Sequence, residues 1–171
     1  FCNVSATVGI ISLSLPVIIE RIERAFDWGA RRFQISLPSW GGLNDKELNT
    51  FFQETCGRFR SCEFMHYNLP RSKRLITPVE YGRLAKAHPN FVATKNTKND
   101  ADFLRELLTE APQLQHFLGE QGYARMRDRY ECGLLISIAS TNHVRARAFF
   151  VSRGMLAIFL AGQGKKRRSN L

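Results

Sequence analysis

Apolar positions along the chain recur with two different spacings. Short β-rich runs stand at "FCNVSA" (1–6), "RFQISLP" (32–38), "EFMHYNLP" (63–70), "NFVATK" (90–95), "QHFLGE" (115–120) and "GLLISIAS" (133–140). Between them the apolar residues fall at helical spacing. In "LPVIIERIERAFDWGA", Val17, Ile18, Ile22 and Phe26 share one helix face. "NDKELNTFFQETCGRF" opens on an Asn/Asp cap signal, and Glu47 follows Asn44 at capping-box spacing. "TPVEYGRLAKAHP" puts Thr77 at the N-cap, Pro78 at the first helical position and Pro89 just past the end. "NDADFLRELLTEAP" turns Leu104, Leu107 and Leu108 inward and stops at Pro112. The strand starts lie roughly 20 to 30 residues apart, the length of one βα unit.

Six strands alternating with helices predict a parallel α/β sheet. Two architectures fit that pattern: a doubly wound open sheet, or a (β/α)8 barrel of which this chain supplies six units. No glycine-rich dinucleotide fingerprint follows any strand, and "GEQG" (119–122) lacks the spacing, which weakens the first. The length of 171 residues suits one domain with a sizeable core, and 44% hydrophobic residues exclude a disordered chain. The longest apolar run near the C-terminus, "MLAIFLAG", is too short to span a bilayer, so no membrane is expected. The chain opens on Phe1 without a signal-peptide pattern, which suggests a fragment or a processed start.

The formal charge of +10 raises the question of nucleic acid. The basic runs "RSKR" (71–74), "ARMRDRY" (124–130), "VRARA" (144–148) and "GKKRRS" (164–169) are scattered, without a recognition motif or aromatic interleaving, so no nucleic-acid partner is expected. Cys2, Cys56, Cys62 and Cys132 form no CxxC, and with His66, His88, His116 and His143 they show no zinc spacing. The expectation is reduced structural thiols, no metal, and a cytoplasmic setting.

One feature of the pattern points to chemistry. In "NFVATKNTKND" (90–100) an apolar run drives straight into Lys95 and then stops. A lysine there can simply mark where a buried strand meets water. It can also be an amine held at the mouth of a site, because in parallel α/β folds chemistry sits beyond the carboxyl ends of the strands. Tyr67 occupies the same place one βα unit earlier, so neighbouring parallel strands would bring the two ends about 5 Å apart.

These residues resemble a known family. "YNLP" (67–70), then "TKNTKND" (94–100), then "GLLIS" (133–137) are similar to the Tyr-Asn-x-Pro, Ile-Lys-Asp/Asn-Ser/Thr and Gly-x-x-Ile-Ser motifs of the dihydrodipicolinate synthase / N-acetylneuraminate lyase family of class I aldolases. The likeness runs over residues 1 to 160. It implies the (β/α)8 barrel, entered at the family's third strand, with residues 1–150 as partial barrel and 151–171 as the start of a C-terminal helical region and basic tail. It implies a lyase or aldolase that makes or breaks a carbon–carbon bond through a lysine imine and needs no cofactor. Its partners would be a pyruvate-type 2-keto acid and an aldehyde. The full-length parent would be a homo-oligomer, dimer or tetramer. Lys95 matches the imine-forming lysine and Tyr67 the proton-transferring tyrosine. Ile136 matches the residue whose backbone carbonyl faces the keto acid. Arg71 is set against an arginine that holds a substrate carboxylate, across an apparent one-residue deletion after Pro70.

The chain also departs from the family. It has no Gly-Thr-Thr-Gly-Glu run, the family's grip on the keto-acid carboxylate, which implies that the first two units lie outside it. Where the synthase branch carries a relay aromatic, "LPSWGG" (37–42) puts Ser39 and Trp40. Trp40 is expected to form a larger, more apolar wall of the site, and "RSKR" to add positive charge, which favours an anionic or sugar-acid-derived substrate over dihydrodipicolinate synthesis proper. A non-catalytic barrel relative that binds a small acid is the alternative from another class.

Overall fold

The structure is a computed structural model that describes residues 6–135 and 142–151. Among the described residues six strands alternate with six α-helices: β1 (Val8–Ile10), α1 (Leu15–Asp27), β2 (Arg32–Ile35), α2 (Asp45–Phe52), β3 (Glu63–Asn68), α3 (Pro78–Ala87), β4 (Phe91–Asn96), α4 (Ala101–Glu110), β5 (Gln115–Leu118), α5 (Glu120–Met126), β6 (Gly133–Leu134) and α6 (His143–Val151). The cap signals form as read. Asn44 and Glu47 make a reciprocal capping box, and so do Thr77 and Glu80, with Pro78 in the first turn of α3. Asp100 caps α4 by accepting from the Phe103 N–H. Helix α1 ends in a Schellman motif. Gly29 takes φ 91°, its N–H donates to the Phe26 carbonyl, and the Ala30 N–H donates to that of Ala25.

The first strand among the described residues lies at Val8–Ile10, where Ile10 is buried against the core. Of the expected run "FCNVSA" only Ala6, an exposed coil residue, is among the described residues; the rest lies outside them. Two elements went unread. A π-helical turn, Gln53–Gly57, extends α2, and α5 follows β5 at once because Gly119 serves as its N-cap.

The strands form one sheet in the order β1-β2-β3-β4-β5-β6, and each pairs in parallel with the next. Spatial order therefore equals chain order. A doubly wound sheet would reverse direction at a switch point; here there is none. Winding always the same way puts every helix on one face. That face is the core: Phe33, Ile35, Phe64 and Leu118 from the strands meet Ile18, Ile22, Leu48, Phe52, Tyr81 and Leu104 from the helices. The other face, carrying Gln34, Met65, Tyr67, Lys95 and Phe117, is only half-buried. This is a partial (β/α)8 barrel of six consecutive units.

Helices α3 and α4 pack so closely that a Cβ on Gly82 would run into the carbonyl oxygen of Glu110. Elsewhere in a helix, Gly→Ala gains up to about 1 kcal/mol. Here the added methyl meets backbone, and overpacking typically costs about 1–3 kcal/mol. Gly82→Ala should therefore destabilise the fold, with a lower denaturation midpoint in urea.

Three histidines set the acid limit of this core. His66 is fully buried, shares a hydrogen bond of 2.8 Å with the Tyr81 hydroxyl, and leaves its Nε2 unpartnered. Burial pushes its pKa down to about 3 from the ordinary 6.5; His88 and His116 are pushed down by the same cause. A depressed histidine is neutral when folded and protonates readily only when unfolded. The stability that His66 supports is full above about pH 6.5 and drains as pH falls from there toward about 3, by up to about 1.4 kcal/mol per pH unit; His88 and His116 act in the same direction below pH 6.5. Melting temperature should fall over that window. The pair substitution His66→Leu/Tyr81→Phe, which removes both hydrogen-bond partners, should flatten the fall.

Candidate active site

Lys95 lies one residue from the end of β4 and Tyr67 one residue from the end of β3, and the strand register sets them directly opposite each other. The Lys95 amine sits over the face of the Tyr67 ring, with Nζ 3.9 Å from its centre. On the other side Lys95 pairs with Phe117 of β5, which in turn pairs with Gly133 of β6. Tyr67, Lys95, Phe117 and Gly133 thus form one row across the carboxyl ends of β3, β4 and β5 and the start of β6. The Phe117 ring leans over Gly133, where a Cβ would lie 2.5 Å from ring carbon Cδ1. Only glycine leaves that space.

The side on which Lys95 emerges depends on a local irregularity. Phe64 pairs with Phe91, but the next residue, Met65, pairs with Ala93. Strand β4 thus carries one extra residue, Val92. Phe91, before it, packs in the helix-facing core. After it the alternation inverts, so Thr94 and Asn96 are buried on the helix side while Lys95 is half-buried on the open side. Extra residues of this kind re-aim side chains beside functional sites.

Two effects act on the amine. Partial burial disfavours its charged form and lowers its pKa from the usual lysine range. The ring face favours the cation, while burial enlarges the unprotonated, nucleophilic fraction.

The remaining sequence-derived positions divide. Arg71 is exposed on the single 3-10 turn Pro70–Ser72 that follows β3. Its neighbour Arg74, from the same basic run, is mostly buried and bridges Asp45 and Glu80 while donating to the Leu43 carbonyl, so it serves structure. Ile136 lies outside the described residues. Trp40 does not wall the site: the residue is 82% exposed, and its carbonyl accepts from the Lys73 amine at 3.5 Å. It lines instead a separate open cavity of about 630 Å³ with Leu13, Pro38, Leu43 and Phe51. Among the described residues no cluster of His, Cys, Asp or Glu is placed to hold a metal, and no helix is long and apolar enough to cross a membrane. A cavity of about 790 Å³ lies at the opposite strand ends, lined by Val8, Trp28, Arg31, Arg32 and Glu63. It contains no pairing of an amine with a phenol and is distinct from the lysine site.

No family model matches the chain. Over 101 residues it is 29% identical to 4-hydroxy-tetrahydrodipicolinate synthase of Thermus thermophilus, covering 58% of this chain and 34% of that one. Its fold matches YagE of E. coli K12, a prophage protein of the dihydrodipicolinic acid synthase family solved in complex with pyruvate, with a TM-score of 0.74 and 20% identity. That match covers 96% of this chain and 55% of YagE. Dihydrodipicolinate synthase of Agrobacterium tumefaciens matches with a TM-score of 0.73 and 21% identity over 84% of this chain and 52% of that one. The chain is thus similar in sequence to a dihydrodipicolinate synthase and shares the fold of solved members of that family. The alignment spans about a third of the length of the curated relatives, and the fold about half that of the solved structures.

Sequence reading missed the polar groups behind the row. Asn68, Thr94, Asn96 and His116 are all buried on the helix side and joined by hydrogen bonds. Their signal was present as polar residues at the alternate positions that otherwise carry the buried residues of these strands.

Proposed function

We propose that the protein is a lyase or aldolase in which Lys95 forms an imine with a pyruvate-type 2-keto acid. The observation that carries this reading is the half-buried Lys95 amine seated over the Tyr67 ring at the strand ends. The unprotonated amine attacks the keto carbonyl, and water leaves once the carbinolamine is protonated. The iminium then draws electrons from the adjacent carbon, so a bond there can form or break through an enamine. Tyr67 is the nearest phenol and supplies the proton relay. The aldehyde partner, the direction of the reaction and assembly into a dimer or tetramer belong to the same reading.

Two sequence features set this apart from dihydrodipicolinate synthesis proper: Ser39 and Trp40 stand where the relay aromatic is expected, and Trp40 is turned to solvent. The name of the Thermus relative favours the synthase as the second reading. An assay of pyruvate with aspartate semialdehyde, beside cleavage of sugar-derived 2-keto-3-deoxy acids, separates the two. Strong condensation would restore the synthase. A non-catalytic small-acid binder would trap nothing.

Borohydride added in the presence of pyruvate should leave a reduced adduct on the peptide carrying Lys95, read by mass spectrometry. Its absence, or an adduct confined to another lysine, defeats the proposal. Tyr67→Phe should keep the adduct yet slow turnover by about 10²- to 10⁴-fold, with little change in melting temperature.

A further inference from the structure

Behind the row runs a continuous chain of buried hydrogen bonds. The Ile76 N–H donates to Asn68 Oδ1 and Asn68 Nδ2 donates to the Ile76 carbonyl, both at 3.0 Å. Asn68 Nδ2 also donates to Asn96 Oδ1 at 3.2 Å, and Asn96 Nδ2 donates to Thr94 Oγ1 at 3.0 Å. Thr94 Oγ1 and His116 Nδ1 are 2.7 Å apart, and His116 Nε2 is 2.9 Å from the Ala111 carbonyl.

The donor directions fix one another. The Ala111 carbonyl can only accept, so Nε2 carries the proton. In a neutral imidazole Nδ1 then accepts, so the Thr94 hydroxyl donates to it and accepts from Asn96. Every bond points the same way, from Asn68 on β3 through β4 to His116 on β5. Burial keeps His116 in the neutral form that this arrangement requires.

The chain touches both functional residues through their neighbours. Thr94 and Asn96 flank Lys95 on the opposite face of β4, and Asn68 follows Tyr67 on β3. We propose that Asn68, Asn96, Thr94 and His116 act as positioning residues that clamp the ends of β3, β4 and β5 and hold the Lys95 amine over Tyr67. The inference rests on the reading of Lys95 as the imine-forming amine. The strand ends are the place where such a clamp is needed, because beyond Asn96 the chain leaves the sheet. Buried polar chains in which every member is satisfied fix a single geometry, and misplacing a reacting group by about 1 Å can cost about 10²-fold in rate. On the open face the register sets Tyr67 and Phe117 beside the amine, so Tyr67 is the one titratable neighbour that β3 and β5 present to it.

Thr94→Val keeps the shape and removes the hydroxyl, leaving Asn96 Nδ2 and His116 Nδ1 without it; Thr94→Ser restores the hydroxyl. Leu107→Ala, in the core of α4, serves as a control for loss of stability alone. Two readouts are taken on the whole protein: the pH midpoint of Lys95 labelling by formaldehyde and borohydride, and the rate of pyruvate trapping at neutral pH. Thr94→Val should move the midpoint up toward the ordinary lysine range and slow trapping by roughly tenfold or more. Thr94→Ser should stay near wild type, and Leu107→Ala should melt lower with an unmoved midpoint. The inference is overturned if Thr94→Val leaves both readouts unchanged, or if Leu107→Ala moves them equally. If the unaltered protein traps no pyruvate while Thr94→Val still shifts the labelling midpoint, the keto-acid reading fails and the positioning role stands.

Discussion

The register of β4 between β3 and β5 governs everything at the strand ends. A slip of one residue sends every side chain of a strand to the other face. In this sheet that would turn Lys95 into the helix layer and push Thr94 and Asn96 into the open. The single extra residue at Val92 performs such a switch deliberately: the strand enters with Phe91 packed on the core and leaves with Lys95 facing away from it. The register is then held from both sides, by the Tyr67 and Phe117 pairings and by the hydrogen bonds behind Thr94 and Asn96. An amine at this position is desolvated enough to lose its proton more easily, yet stays on the accessible face.

The placement of polar groups in the helix layer follows the same constraint. A hydrophobic replacement of Asn68, Asn96, Thr94 and His116 would avoid the cost of burying polar atoms. Their mutual satisfaction removes most of that cost and adds direction, which apolar contacts lack. His66 shows the other case. One ring nitrogen is paired and the other is not, so this histidine adds acid sensitivity without extending the network.

Much of this architecture is legible in the sequence because local signals agree with the global fold. The two capping boxes, Pro78, and Leu104, Leu107 and Leu108 mark helices whose ends and inward faces are set by short-range chemistry. The opposition of Tyr67 and Lys95 follows from their shared place at the ends of consecutive strands. Side-chain direction in β4 is another matter. Alternation counted from Phe91 puts Lys95 in the core, and only the pairing of Met65 with Ala93 reveals the inversion. The partners of Asn68 and His116 are likewise set by sheet pairing. The exposure of Trp40 belongs to a loop that meets a distant turn, where Lys73 takes φ 56° and sets its carbonyl against Gly42. No periodicity records that.

The strand order β1 to β6 also shapes how the chain can reach its native state. Each strand pairs only with its predecessor and successor, so every loop closed during folding is about one βα unit long and its entropy cost is nearly the same at each step. Growth can proceed as a zipper, unit by unit, in the direction of synthesis. Asn90 is suited to a latch in that process. Its side-chain amide reaches the carbonyls of Cys56, Phe59 and Cys62 while its own carbonyl accepts the Phe64 N–H. The start of β4 is thereby tied to the turn preceding β3 just before Val92, so the latch closes on the segment whose register decides where Lys95 will point.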